Sequence, residues 1–337
     1  MAGARSRAAL GYVVSTTATT AVSLFDLDPT TYAAHELHSG ARSYPETNCY
    51  ADILIELVHA AGHEPLAMLG SSVAIDFEGD QWTFFKPQPD EIELLYGIDI
   101  HEMQPYRPLP DQIAEQIQAG RTLIVELDSF YLPDVDGTAY RSAHVKSSAV
   151  METIDREGER LQYFHNGSLH ALEGEDYRNV FRLGRDFSPD VLPPYTELVR
   201  FDRGPALRDD ELLATCRELL RRQLARRPRT NPFLRYGDAL DRDLPLLLEG
   251  ADADYHAYAF ATVRMAGAAF EVSASHVGWL FSQRGAEAVE ALLSIVNSCK
   301  VLSFKLARRR AFDPAPLLAE LADGWERSQA LLDVLAG

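Results

Sequence analysis

The chain has 337 residues, a formal net charge of −18 at pH 7 and three cysteines, Cys49, Cys216 and Cys299. So large an acidic excess argues against nucleic acid as a partner, and an odd, sparse set of cysteines fits a reducing compartment instead of a disulfide-built scaffold. The length suits two domains, or one domain with a large appendage.

In chain order, Arg5 and Arg7 precede Ala8-Ala9-Leu10, but the Thr-rich stretch Ser15–Thr20 interrupts the apolar run, which makes a poor signal peptide. No segment is apolar for long enough to span a bilayer, so no membrane association is expected and the cytoplasm is the expected location. The residues before Leu24 read as strand and loop, or as partly disordered. From Cys49, the residues Ile53, Leu54, Leu57, Val58 and Ala61 recur at helical spacing, and Gly62 supplies a stop. Thr47 or Asn48 caps this helix, leaving Cys49 at the positive end of its dipole. That position favours the thiolate, the nucleophilic form of cysteine; the alternative is a buried cysteine acting as a small hydrophobe. His59 and His63 have metal-ligand spacing, but Gly62 lies between them and the glutamate of the zinc-protease word is lacking. With His165 and His170 they invite a metal site, against which ordinary polar histidines are the expectation, and no metal is expected. Asp76-x-Glu78-x-Asp80 alternates carboxylates like half a calcium loop, yet Gln81 stands where such a loop needs glycine; an acidic turn before a Trp82–Phe84 strand is the other reading.

A helix is expected over 111–119 and a strand over 122–127, ending at Asp128. A carboxylate at the end of a central strand needs a partner, so Asp128 orients a substrate amine, supports His144, or caps a loop. A second strand runs from Ala143 to Met151 with His144 near its start, turns around Asp155–Gly158, and returns over Leu161–Phe164 to His165-Asn166-Gly167. A thiol, an imidazole and a side-chain amide in this order are the parts of a nucleophile, base and orienter set. Asn166 reaches His144 only if the hairpin register puts both on one face; otherwise it is a turn residue beside Gly167. Pro189, Pro193, Pro194 and Pro205 punctuate a connector near 187–208. Beyond it strand signals vanish, and helices are expected over 210–227, 255–270, 285–306 and 314–335, as in a bundle. The expected fold class is α+β: a mixed domain over 24–200 followed by a helical domain over 206–337.

The words Pro45-Glu46-Thr47-Asn48-Cys49-Tyr50, Asp76–Lys86, Leu94–Asp99, Asp128-Ser129-Phe130-Tyr131-Leu132-Pro133, His144-Val145-Lys146 and Tyr163-Phe164-His165-Asn166 resemble an uncharacterised bacterial family encoded near amino acid:carrier protein ligases. The layout of the Cys, the Asp-x-Phe-Tyr-Leu-Pro word and the His is also similar to the papain-like domain of butirosin-type acyltransferases. This resemblance implies a papain-like catalytic domain that moves an aminoacyl group from a carrier-protein thioester to an acceptor amine. Cys49 is then the nucleophile, His144 the base and Asn166 its orienter. Asp76, Glu78, Asp80 and Tyr131 become candidates for binding the aminoacyl substrate. The implied partners are an acyl or aminoacyl carrier protein and a small-molecule or peptide amine. No cofactor is bound by the chain itself, the substrate riding on the carrier's phosphopantetheine. A carrier is acidic, so docking needs a basic patch, for which Arg221, Arg222 and Arg226 are candidates against the plainer reading of a solvated helix face. Papain-like peptidases place Gln six residues before the nucleophile, where this chain has Ser43. The amide of Cys49 and the side chain of Asn48 are the substitutes for that oxyanion donor, which favours thioester exchange over peptide hydrolysis. A cysteine peptidase, amidase or thioesterase, and a non-catalytic carrier-binding protein, are the alternatives.

Overall fold

Helix α1 (Cys49–Ala60) begins where the side chain of Asn48 accepts a hydrogen bond from the amide of Ala51 at 3.1 Å. It ends before Gly62, whose φ of +77° is reached without strain only by glycine. Ile53, Leu54, Ile55, Leu57 and Val58 are all sealed from solvent, so α1 is apolar on nearly every side and is packed between layers. The structure, a computed structural model of the chain, describes residues 21–38, 40, 42–45, 48–184 and 192–337. Thr47, the alternative cap, lies outside the described residues, as do residues 1–20 and Pro189.

One layer against α1 is a seven-stranded antiparallel sheet. Its strands are β1 (Val22–Ser23), β2 (Asp99–Glu102), β3 (Thr122–Asp128), β4 (Lys146–Asp155), β5 (Arg160–His165), β6 (Ser168–Glu173) and β7 (Thr196–Arg200). They run in the order β2-β7-β3-β4-β5-β6, with β1 added to the far end of β4. Alternation along each strand divides the sheet into two faces. Ile124, Val150, Phe164 and Val199 face α1, whereas Leu123, Val125, Leu127, Ala149, Met151 and Tyr163 make a second core. That second core is closed by α3 (Leu109–Gln118) and α4 (Glu175–Val180). A short helix α2 (Pro89–Tyr96) precedes β2.

On its other side α1 meets the 3-10 segment Pro65–Ala74, which packs on the helical region. That region comprises α5 (Asp209–Arg226), α6 (Pro232–Glu249), α7 (Asp252–Ala259), α8 (Met265–Phe281), α9 (Ala286–Ala307) and α10 (Ala315–Ala336). The core of α1 continues without a break into α5, α8, α9 and α10. Three of these helices, α5, α9 and α10, lie close to their expected spans. The expected helix over 255–270 is instead α7, a π turn over Phe260–Arg264 and the start of α8. Helix α6, which carries Pro245 in its interior, was not expected at all; a proline inside a helical pattern reads as a stop. The chain is thus an α+β antiparallel-sheet region followed by an all-helical region. Among the described residues, no helix is long and apolar enough to cross a membrane.

Two carboxylates are buried on α1 itself. Glu56 accepts from the Tyr32 hydroxyl at 2.5 Å and the His35 amide at 3.1 Å, and it binds the His38 ring. Asp52 takes the other ring nitrogen of His38 at 3.2 Å. Arg42 lies 3.9 Å from Asp52 and 3.5 Å from Glu271 of α8, tying α1 to the helical region. Burial alone lowers the pKa of His38, but its hydrogen bonds to Asp52 and Glu56 outweigh that and raise it to about 9. A raised folded-state pKa stabilises fully below the ordinary histidine value and is lost as pH climbs through about 9. Thermal midpoints should therefore fall between pH 6.5 and pH 9, and His38→Gln should flatten that part of the profile. An unchanged slope in the variant would assign the pH dependence to other groups.

Candidate active site

Cys49 occupies the first turn of α1 and is the least buried of the three cysteines. Its Sγ lies 3.9 Å from Oγ of Ser148 on β4. Asn48 is committed on both ends: its Oδ1 caps α1, and its Nδ2 donates to the carbonyl of Phe85 at 2.5 Å. This leaves the amide of Cys49, and not the Asn48 side chain, as the available oxyanion donor at the thiol. Cys216 is buried, and that burial pushes its thiol up to about 12; Cys299 is raised further, also by burial.

His144 precedes β4 in the loop that returns from β3. Its Nδ1 is 2.7 Å from Oδ2 of Asp128, and its ring stacks on Phe130 with centroids 4.4 Å apart and planes 10° apart. Tyr131 presents its edge to the same ring at 6.3 Å. A carboxylate only accepts, so Nδ1 carries the proton and the lone pair is on Nε2. The orienter of His144 is therefore Asp128, not Asn166. A register shift between Met151 and Thr153 pairs His165 with Ala149, and His165 pairs in turn with Ser168. Asn166 and Gly167 are left as a two-residue turn with Asn166 at φ +49°. Gly167 is required there, because a Cβ would come within 2.7 Å of the His38 ring.

Pairing of Asp128 with Lys146 places Asp128, Lys146 and Ser148 on the α1 face of the sheet. Cys49 touches that face at Ser148. His144 lies four residues earlier, roughly 13 Å back along an extended chain. The thiol and the imidazole thus open towards one face, but no hydrogen bond joins them; each has its own partner, Ser148 and Asp128. Lys146 lies between them, ion-paired with Glu126 at 2.5 Å, and on the same face Glu197 of β7 stands beside Ile124. Glu197 accepts from the Tyr50 hydroxyl at 2.7 Å and from the Tyr195 hydroxyl at 2.9 Å. Burial and this carboxylate push the Tyr195 phenol up to about 12. Asp128, His144, Lys146, Tyr195 and Arg182 line a cavity of about 330 Å3. Tyr50, Tyr195 and Glu197 were not foreseen, since only the tertiary fold brings β7 beside β3.

A Ser–His–Asp chain also escaped the sequence reading. On the opposite face of the sheet Ser147 Oγ is 2.6 Å from Nε2 of His165, whose Nδ1 is 2.5 Å from Asp134; Tyr163 donates to the other Asp134 oxygen at 2.5 Å. Burial would raise Asp134, but its bonds to His165 outweigh this and hold it below the usual carboxylate range. His165 is 1 % exposed, so the chain works as a tie beneath the loop that carries His144.

The remaining candidates are dispersed. Ser43 donates its amide to Glu271 at 2.6 Å, which anchors it to α8. Asp76 pairs with Arg235 of α6 and accepts from the amide of Phe77, Glu78 accepts from Thr83, and Asp80 is exposed. Glu78 and Asp80 lie in the turn of the isolated Phe77–Trp82 bridge and Asp76 precedes it; the strand expected over Trp82–Phe84 is reduced to that bridge. Arg221 binds the carbonyl of Ala336 and Glu218, Arg222 lies 3.6 Å from Asp90, and Arg226 faces a separate cavity. His59 bonds the carbonyl of Ala33, whereas His63 stacks on Tyr96.

Fold and site together describe a two-domain α+β protein with a cysteine at a helix N-terminus, set against an antiparallel sheet. The DUF1839 N-terminal domain matches residues 33–201 and the DUF1839 C-terminal domain matches residues 209–334. The chain belongs to this DUF1839 family. No curated protein matches the sequence.

Exposure and the helix N-terminus single out Cys49 among the thiols. Limiting iodoacetamide near neutral pH should label Cys49 ahead of Cys216 and Cys299, as read by peptide mass mapping. Equal labelling, or labelling of Cys299 first, would remove Cys49 as a nucleophile.

Proposed function

We propose that this protein is a cysteine-dependent acyltransferase with a papain-like active site. The observation that carries the reading is the half-exposed thiol of Cys49 on the first turn of α1, on the same sheet face as an imidazole already oriented by Asp128. The acyl group is taken from a carrier-protein thioester, the substrate class that the family resemblance implies. The thiolate of Cys49 attacks the thioester carbonyl, and the tetrahedral adduct breaks its bond to the carrier sulfur, which leaves as a thiolate. The Cys49 amide is the donor facing the oxyanion. An acceptor amine then attacks the new thioester, its N–H proton passes to Nε2 of His144, and the Cys49 thiolate departs.

The separation of His144 from Cys49 fits a division of labour. No hydrogen bond ties the imidazole to the thiol, so the imidazole is free to serve the incoming amine. Lys146 lies between the two, and with Glu126 and Tyr195, which line the same cavity as His144, it is suited to hold a polar acceptor. His144→Ala and Asp128→Asn should slow amine-dependent discharge of the acyl-enzyme about a hundredfold, with much less effect on the first acylation of Cys49. Equal loss in both steps would mean that one base serves both.

Intact-mass analysis after mixing with an aminoacylated carrier protein should show the chain heavier by one acyl group, and Cys49→Ala should abolish the adduct. The right amine should discharge it faster than water does. Discharge to water regardless of amine would make the protein a hydrolase, and a carrier bound without any adduct would make it a binding module.

A further inference from the structure

A cavity of about 350 Å3 lies at the junction of the two regions, walled by 71–88 on one side and by α5 on the other. Its wall at Phe85–Lys86 is fastened to both neighbours of Cys49. The carbonyl of Phe85 accepts from Asn48, and Lys86 Nζ lies 4.0 Å above the ring of Tyr50. Phe84, Phe85 and Ile75 give it an apolar side, and Lys86 and Arg226 supply two cations.

Its charge is opposite to that of the chain around it. The sequence holds 50 acidic residues against 32 basic ones, yet no carboxylate lines this cavity. Among the described residues, no carboxylate lies within ion-pair distance of Lys86 or Arg226, whereas Arg222 one turn earlier has Asp90 and Arg221 has Glu218. Glu91 stands behind the cavity wall, where Gln223 donates to it at 2.6 Å, and it interacts with Arg226 only through the field and not as an ion pair. Two cations with no ion-paired carboxylate, in a concave site with an apolar wall, suit an anion carried on a partly apolar arm.

We propose that this cavity binds the phosphate end of the acyl donor's thiol arm, with Lys86 and Arg226 on the phosphate and Phe84–Phe85 along the arm. This rests on the reading of Cys49 as a thioester-exchanging nucleophile and adds the donor's binding site. It also gives the helical region a direct part in the reaction, since Arg226 comes from α5.

The test compares 4′-phosphopantetheine, pantetheine and inorganic phosphate by calorimetry on the full chain. The phosphorylated arm should bind about tenfold or more tightly than pantetheine, the effect of a charge-assisted contact, and inorganic phosphate should bind far more weakly. Arg226→Gln and Lys86→Gln should each erase the preference for the phosphorylated arm. In parallel, acylation of Cys49 should slow in Arg226→Gln with an acyl-phosphopantetheine donor and stay unchanged with an acyl N-acetylcysteamine thioester. No preference in the unaltered protein, an undiminished preference in both variants, or equal binding of inorganic phosphate would overturn the proposal. If neither donor acylates Cys49 while the Arg226-dependent preference persists, the phosphate site stands and the acyltransferase reading falls.

Discussion

The buried charge cluster on α1 is the constraint on which the rest depends. Asp52 and Glu56 lie on a helix that is otherwise apolar and packed on both sides, so each needs partners inside the protein. His38, Tyr32 and the His35 amide come from the segment preceding α1, and Arg42 extends the cluster to Glu271 of α8. Apolar packing could tolerate α1 turning or sliding by part of a turn. A set of directional bonds to two carboxylates one turn apart cannot, because a shift would leave a charge buried without a partner. The same cluster sets the β5–β6 turn, where the His38 ring occupies the space that any side chain at Gly167 would need.

A helix held in this way presents its first turn at one place on the sheet. Cys49 meets Ser148, Tyr50 meets Glu197, and Asn48 meets Phe85. These contacts reach three separate parts of the chain, so the surroundings of the thiol are assembled by the whole sheet and by the 71–88 segment. His144 is positioned independently, by Asp128 at the end of β3 and by the Phe130 ring. Beneath its loop the Asp134–His165–Ser147 chain anchors the backbone from the opposite face. Cys49 and His144 therefore rest on different supports.

The continuous core explains why the two family domains act as one body. The α1 face of the sheet, the 3-10 segment Pro65–Ala74 and helices α5 and α8 share buried apolar residues. Polar ties cross at the same places: Ser43 and Tyr44 bond Glu271, and Asp76 pairs with Arg235. Ser43, which stands where papain-like peptidases place their oxyanion Gln, is one of these ties.

What the sequence by itself determined is what local periodicity and capping can encode. The spacing of Ile53, Leu54, Leu57 and Val58 with Asn48 before them and Gly62 after them specifies α1 and puts Cys49 at its start. Apolar runs likewise specify β3, β4 and β5, and the loss of strand signals after the connector specifies a helical second half. Tertiary structure decided the rest. Pairing of His165 with Ser168 in the β5–β6 hairpin consigned Asn166 to a turn, and no argument about the length of the β4–β5 turn reveals that pairing. Strand order brought β7, and with it Glu197 and Tyr195, beside β3. It also made Asp128 the partner of His144, because the strand end and the loop return meet only when β3 and β4 pair. Helix α6 survived an internal proline through packing of Phe233, Tyr236 and Leu240. Local patterns specify elements because neighbours in sequence share one backbone geometry. Partners of charged and polar groups come from distant segments, so they depend on register and strand order, which only the folded chain decides.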